Sequence, residues 1–245
     1  MLVLAQVNQK GGVGKTTVGF HIAHMAAELG RRTLVIDLDS QGNATTALSG
    51  REDLLDQTGG ADLLFTRTDV RDIAPLALSP TLHLLHGHHR LDTVEGTFNP
   101  QHAASQQRRL LRSLPYDVAV IDTPPTICRR MVAAMLWADV AVMPIEPASF
   151  SLAGLTSTLQ MLSSARKLNP GLCYRVVVNR FNKVSKAQRR RIDDVSARVS
   201  VPQPYFTQRS AVAEAIEARV PVWRYPKADR ALREAWSGFA REILR

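Results

Sequence analysis

Apolar residues fall along this chain in short unbroken runs, separated by segments where they recur every three or four positions. The runs Leu2 to Val7, Thr33 to Leu38, Asp117 to Ile121, Asp139 to Ile145 and Tyr174 to Val178 lack the alternation of a half-exposed strand, and so predict strands buried on both faces. Leu82 to Leu85 is a further candidate strand. Between these runs, Val18, Ile22, Met25, Ala26 and Leu29 keep helical spacing from Lys15 to Leu29, and Gly30 supplies a stop. Further helices are predicted around Met131 to Trp137, from about Ser151 to Leu168, from about Ser185 to Val199, and at the end of the chain, where Leu232, Trp236, Phe239 and Ile243 form an apolar stripe. Strands alternating with helices predict an α/β fold: a doubly wound, mainly parallel sheet flanked by helices on both faces through right-handed crossovers. Residues 50 to 100 are the least periodic, and no internal repeat or low-complexity linker is visible.

With 245 residues and 45% hydrophobic content, one core suffices, so residues 1–245 are expected to form a single domain. MLVLAQVN carries no basic leader, and no stretch reaches the length of a membrane span, which predicts a cytoplasmic protein. Cys128 and Cys173 offer no metal or redox spacing and are expected to be buried thiols. Charge changes the picture more. The net +9 is unevenly placed: residues 1–146 hold 13 Lys/Arg against 15 Asp/Glu, whereas residues 147–245 hold 18 against 7. No acid lies between Glu146 and Asp193, while nine cations do. A solvated face is the plain reading of such a stretch; a polyanion partner explains its one-sidedness better.

Candidate chemistry sits at the ends of the predicted strands, where ligands bind in open α/β sheets. QKGGVGKTT, residues 9 to 17, follows the first strand and opens the first helix. Its Gly14-Lys15-Thr16 fill the last three places of the phosphate-binding pattern G-x-x-x-x-G-K-[ST], but Gln9 stands where glycine is asked for and a second cation, Lys10, follows. Asp122 ends the strand VAVID, placed to hold the water shell of a Mg²⁺, with a turn cap as the bland alternative. Asp37 and Asp39 alternate at the end of the second strand, so that either could polarise an attacking water. The cluster His83, His86, His88 and His89 lacks the cysteines or paired carboxylates of a metal site and reads as an exposed loop.

Three motifs in order, Lys10 to Thr17, Asp37 to Thr45 and Val120 to Pro125, together resemble the ParA/MinD group of deviant-Walker P-loop ATPases, and most of all the short ParA proteins of plasmid and chromosome partition. Arg209 to Val222 also looks like that family's segment before its last helix, so the likeness runs nearly end to end. Ser40 departs from the proline of many relatives. The resemblance implies ATP and Mg²⁺ as cofactors. Lys10, Gly11, Gly12, Val13, Gly14, Lys15, Thr16 and Thr17 would bind phosphates, with Lys10 reaching the phosphates of a second copy in an ATP-dependent homodimer. It further implies Thr16 as a Mg²⁺ ligand with Asp122 acting through water, Asp39 orienting the attacking water beside Lys10 and Lys15, and Asn179 facing adenine.

The same resemblance implies non-specific double-stranded DNA and a ParB-type centromere-binding protein as partners, with the protein associated with the nucleoid. The candidate DNA contacts are Lys183, Lys186, Arg189, Arg190 and Arg191, then Arg209, Lys227, Arg230 and Arg233. No helix-turn-helix precedes the first strand, which argues against operator recognition. A MinD-like membrane-cycling protein is the competing expectation, resting on the terminal apolar stripe. A small-molecule kinase or metallochaperone fits the double lysine and the cysteine count poorly.

Overall fold

The computed structural model describes residues 1–148 and 152–245. Seven strands form one sheet in the order β3-β4-β2-β5-β1-β6-β7. They are β1 (Leu2–Gln6), β2 (Thr33–Asp37), β3 (Leu76–Ala77), β4 (Leu82–Leu85), β5 (Val118–Asp122), β6 (Val140–Ile145) and β7 (Cys173–Val178). Every pairing is parallel except that of β3 with β4 at one edge. The unbroken apolar runs are explained by what covers them. Val3, Ala5 and Val7 enter one core cluster and Leu4 the other, because successive side chains leave opposite faces of the sheet and both faces are buried.

The helices are α1 (Lys15–Glu28), α2 (Asn43–Ser49), α3 (Leu63–Thr66), α4 (Pro100–His102), α5 (Arg108–Ser113), α6 (Arg129–Trp137), α7 (Leu152–Arg166), α8 (Lys186–Ser196), α9 (Ser210–Glu217) and α10 (Arg230–Ile243). A π-helical segment, Ala103–Gln107, joins α4 to α5. The expected start of α7 at Ser151 lies outside the described residues. Helix α8 begins where Ser185 accepts a hydrogen bond from the Gln188 amide, 3.3 Å away, a side-chain cap on its first turn. On one face, α1 buries Val18, Ile22 and Met25 against α10, whose Leu232, Trp236 and Phe239 belong to the same cluster. Each such side chain, fully buried, contributes roughly 1.5–3 kcal/mol. The terminal stripe is therefore part of the core.

Two sequence expectations change. His86 and His88 are buried, 8% and 2% exposed, and His83 lies within β4. The chain continues from β4 through Gly87 directly beneath the Asp37 to Asp39 segment, so that of the four histidines His89 alone is exposed as expected, and His88 Nε2 lies 3.0 Å from Asp62 Oδ1. The thiols are not buried: Cys128 is half-buried, and Cys173 is exposed because it opens the edge strand β7. Among the described residues, no group of three or more His, Cys, Asp or Glu is placed to hold a metal ion, and no helix is long and apolar enough to cross a membrane.

Candidate nucleotide site

The loop between β1 and α1 is shaped by two glycines in the left-handed region, Gly12 (φ 76°) and Gly14 (φ 100°). Gly14 is the residue that α1 starts from, and a Cβ there would come 2.1 Å from Asn179 Nδ2. Only glycine meets both demands. The loop opens on Asn8, whose side chain donates to the Pro144 carbonyl (2.6 Å) and accepts from the Lys10 amide (2.9 Å). Gln9, in the place of the usual glycine, donates to Ser157 Oγ at 2.8 Å and so fastens the loop to α7. The Lys15 ammonium turns back into the loop, donating to the carbonyls of Asn8 (3.1 Å) and Lys10 (3.2 Å). Burial lowers its pKa, while the charges of Asp122 and Asp39 oppose that shift. Lys10 is exposed at the same loop.

Opposite the loop stands a cluster of acids. The β2–β5 register pairs Asp37 with Asp122, so the two strand-end carboxylates meet side by side. Asp122 Oδ2 accepts from Thr16 Oγ1 at 2.5 Å, and its Oδ1, sealed from solvent, has no partner. Burial first, then the Asp37 charge, raises the Asp122 pKa to about 7. Burial likewise raises Asp37 to about 6, although the Thr45 amide and hydroxyl and the Asp39 amide all donate to it. Thr45 Oγ1 in turn accepts from the Gly87 amide at 2.8 Å, which ties the end of β4 to the end of β2. Asp39, 7% exposed, accepts from the Gln41 amide. The two alternating acids thus differ: Asp37 is a structural hub, and Asp39 lies closer to the surface.

Buried carboxylates, two of them with pKa values raised by burial and one with an orphaned oxygen, beside a threonine hydroxyl and a lysine ammonium, are a donor set for a hard divalent cation and phosphate oxygens. A nucleotide with magnesium fits these residues. Beside Thr17 a cavity of about 250 Å³ is lined by Asn179, Arg180, Thr207, Arg209 and Trp236. Asn179, 5% exposed at the end of β7, donates to the Val13 carbonyl at 2.9 Å and so joins this cavity to the phosphate loop. Arg180 (φ 52°) was not singled out in the sequence, yet it lines the same cavity and lies 3.7 Å from Glu146. The signal for it was its place immediately after a strand-end asparagine.

The candidate DNA contacts divide into two groups. Lys183, Lys186, Arg189 and Arg190 are exposed on α8 and the turn before it, and none has a carboxylate partner among the described residues, though Arg189 donates to the Lys183 carbonyl at 3.2 Å. Arg191 instead donates to the carbonyls of Pro147 and Ala148, and Arg233 to those of Tyr225 and Pro226. Arg209, Lys227 and Arg230 pair with Asp229, Glu214 and Glu234.

The family description "AAA domain" matches residues 1–173. The chromosome partitioning protein ParA of Caulobacter vibrioides is 32% identical over 254 residues, covering 99% of this chain and 93% of that protein. Protein IncC of Escherichia coli is 34% identical over 241 residues; the match takes in 93% of this chain but only 64% of the length of IncC. Among solved structures, cobyrinic acid a,c-diamide synthase from Mycobacterium smegmatis, with bound ATP analog and magnesium, superposes with a TM-score of 0.82 at 25% identity over 100% of this chain and 94% of that one. Apo McdA of Cyanothece gives 0.85 at 21% identity, with both chains covered in full, a likeness of fold.

Proposed function

Since this chain belongs to the ParA/MinD family of ATPases, close to the short ParA partition proteins, we propose that it is a partition ATPase in which ATP and Mg²⁺ close two copies into a dimer that holds DNA. The observation that carries this reading is the convergence of Lys15 and Thr16 of the loop with Asp122 at the end of β5, one of whose carboxylate oxygens is orphaned. Magnesium ATP would supply a transferable terminal phosphate and the negative charge that draws two copies together. Lys15, which donates to the Asn8 and Lys10 carbonyls, would hold phosphate oxygens, and Thr16 would hold the metal, with Asp122 acting through water. Backbone amides of Gly11 to Gly14 surround the phosphates at the start of α1, where unpaired amides and the helix dipole favour anions. Thr17 would hold the α-phosphate, Asn179 the base, and Asp39 would orient the attacking water. Lys10, exposed at the loop, serves the partner copy; in a partly dry interface such a cation gains most when the terminal phosphate is present.

The dimer binds double-stranded DNA without reading its sequence, and the four cations of the α8 region that have no carboxylate partner among the described residues carry that contact. A ParB-type protein stimulates hydrolysis and release in the cytoplasm, at the nucleoid. Burial of Leu232, Trp236 and Phe239 supports DNA rather than a bilayer as the surface the dimer visits. Filter binding tests the reading: ATP with Mg²⁺ is expected to raise DNA affinity, Lys10→Ala to stay monomeric on size exclusion, and Asp39→Ala to persist as a DNA-bound dimer. Equal DNA affinity with and without ATP overturns it.

A further inference from the structure

A larger cavity, about 420 Å³, lies away from the nucleotide site, between the segment that follows α3 and the helical run from α4 to α5. None of its lining residues borders the cavity beside Thr17. It extends to Ser113 at the end of α5, toward the amino end of β5, whereas the phosphate loop stands at the carboxyl ends of the strands. Three features set it apart from an ordinary surface dent. Arg67, His102 and Arg109 border it, all exposed, and no carboxylate pairs with them among the described residues. The one acid in its wall, Asp69, is already neutralised: Arg71, outside the cavity, donates to both of its carboxylate oxygens, and the Arg71 amide donates to it as well. The third feature is Gln107, 7% exposed, which lines the cavity and whose side-chain oxygen is enclosed by protein without a hydrogen-bond partner.

Gln107 is also the last residue of the π-helical segment, a wide turn that inserts one residue into the helical run and is frequently found at functional sites. Two guanidiniums with no acid to satisfy them match a dianionic phosphate, which arginine grips through paired N–H donors. Val70 and Leu110 supply an apolar wall, and the Gln107 amide, turned over about its last bond, offers its acceptor to an N–H or O–H donor. The volume falls within the usual range for small-molecule sites, roughly 300–1,000 Å³.

We propose that this cavity is a second ligand site, separate from the phosphate loop, that takes a small phosphate monoester with a hydrogen-bond-donating organic body, held by Arg67 and Arg109 and oriented by Gln107. Ribose 5-phosphate and AMP share that chemistry, and the test separates a sugar body from a nucleoside one. Isothermal titration of the full chain with each is run on wild type, Arg67→Ala/Arg109→Ala, Gln107→Leu and Lys15→Ala. The expected result is saturable binding of one molecule per chain that weakens about tenfold or more in the double arginine variant and is unchanged in Lys15→Ala. Gln107→Leu is expected to weaken the ester while leaving the affinity for inorganic phosphate alone unaltered. Tighter binding of AMP assigns the organic body as a nucleoside, and equal binding assigns it as the sugar. Three results overturn the proposal: no saturable binding of either ester, binding lost in Lys15→Ala but kept in the arginine variant, or inorganic phosphate binding as tightly as the esters. Arg67 and Arg109 are exposed, so folding of the double variant is checked simply by its melting temperature.

Discussion

At the scale of single residues, the loop tolerates little. Gly14 combines a φ of 100° with the close approach of the Asn179 amide, so Gly14→Ala is expected to cost about 1–3 kcal/mol in strain and to push Asn179 off the Val13 carbonyl. Calorimetry should show nucleotide affinity falling at least as steeply as the melting temperature. His21 has no exposed surface and bridges two segments: Nδ1 lies 2.7 Å from the Thr17 carbonyl and Nε2 accepts from the Val222 amide at 3.1 Å. That pair of bonds fixes the neutral ring with its proton on Nδ1. Burial lowers its pKa to about 3, and burial, then Arg224, lowers that of His24 to about 4, both from 6.5. The unfolded chain therefore takes up protons that the folded one refuses, and stability present above pH 6.5 is lost as pH falls toward 4. The slope is about 1.4 kcal/mol per pH unit for each ring. Urea titrations between pH 7 and pH 5 should show that decline, and a His21→Gln variant, weaker at pH 7, should show a shallower one.

Elements were legible in the sequence to the degree that burial made them uniform. β1, β2, β5 and β6 read as unbroken apolar runs because helices cover both of their faces. β3, two residues long and half exposed, gave no pattern to read. His86 and His88 looked like a polar loop, since nothing local announces that Gly87 must slide under Asp37. At the site, the glycine spacing and strand-end acids disclosed the phosphate side, while Arg180 and the Thr45 bridge depend on contacts between distant segments. α10 was ambiguous for a related reason: an apolar stripe looks the same whether it meets a membrane or its own domain. In the structure Trp236 stacks on Phe206 with ring centres 4.0 Å apart and lies 4.4 Å from His21. Trp236→Ala should therefore cost about 3–5 kcal/mol on denaturant unfolding, and wild-type protein with ATP should fail to sediment with liposomes.

Across the whole molecule, charge is sorted rather than spread. Asp37, Asp39 and Asp122 gather under the phosphate loop, and several cations with no carboxylate partner among the described residues sit on α8 and at the second cavity. If about six charges of a dimer meet DNA phosphates, log affinity should fall against log salt with a slope near −5. Lys186→Ala and Arg190→Ala should each make that slope shallower by about 2 per dimer, whereas Arg230→Ala, whose guanidinium already serves Glu234, should barely move it. Equal effects from all three would place the DNA surface elsewhere.

The Lys15 ammonium, already clasped by the Asn8 and Lys10 carbonyls, has a consequence of its own. A loop that closes around its own cation keeps its form when its guest departs. On the proposed reading, empty and loaded copies would differ at that spot in the charge shown at the mouth, a difference open to a neighbouring copy without movement of the backbone.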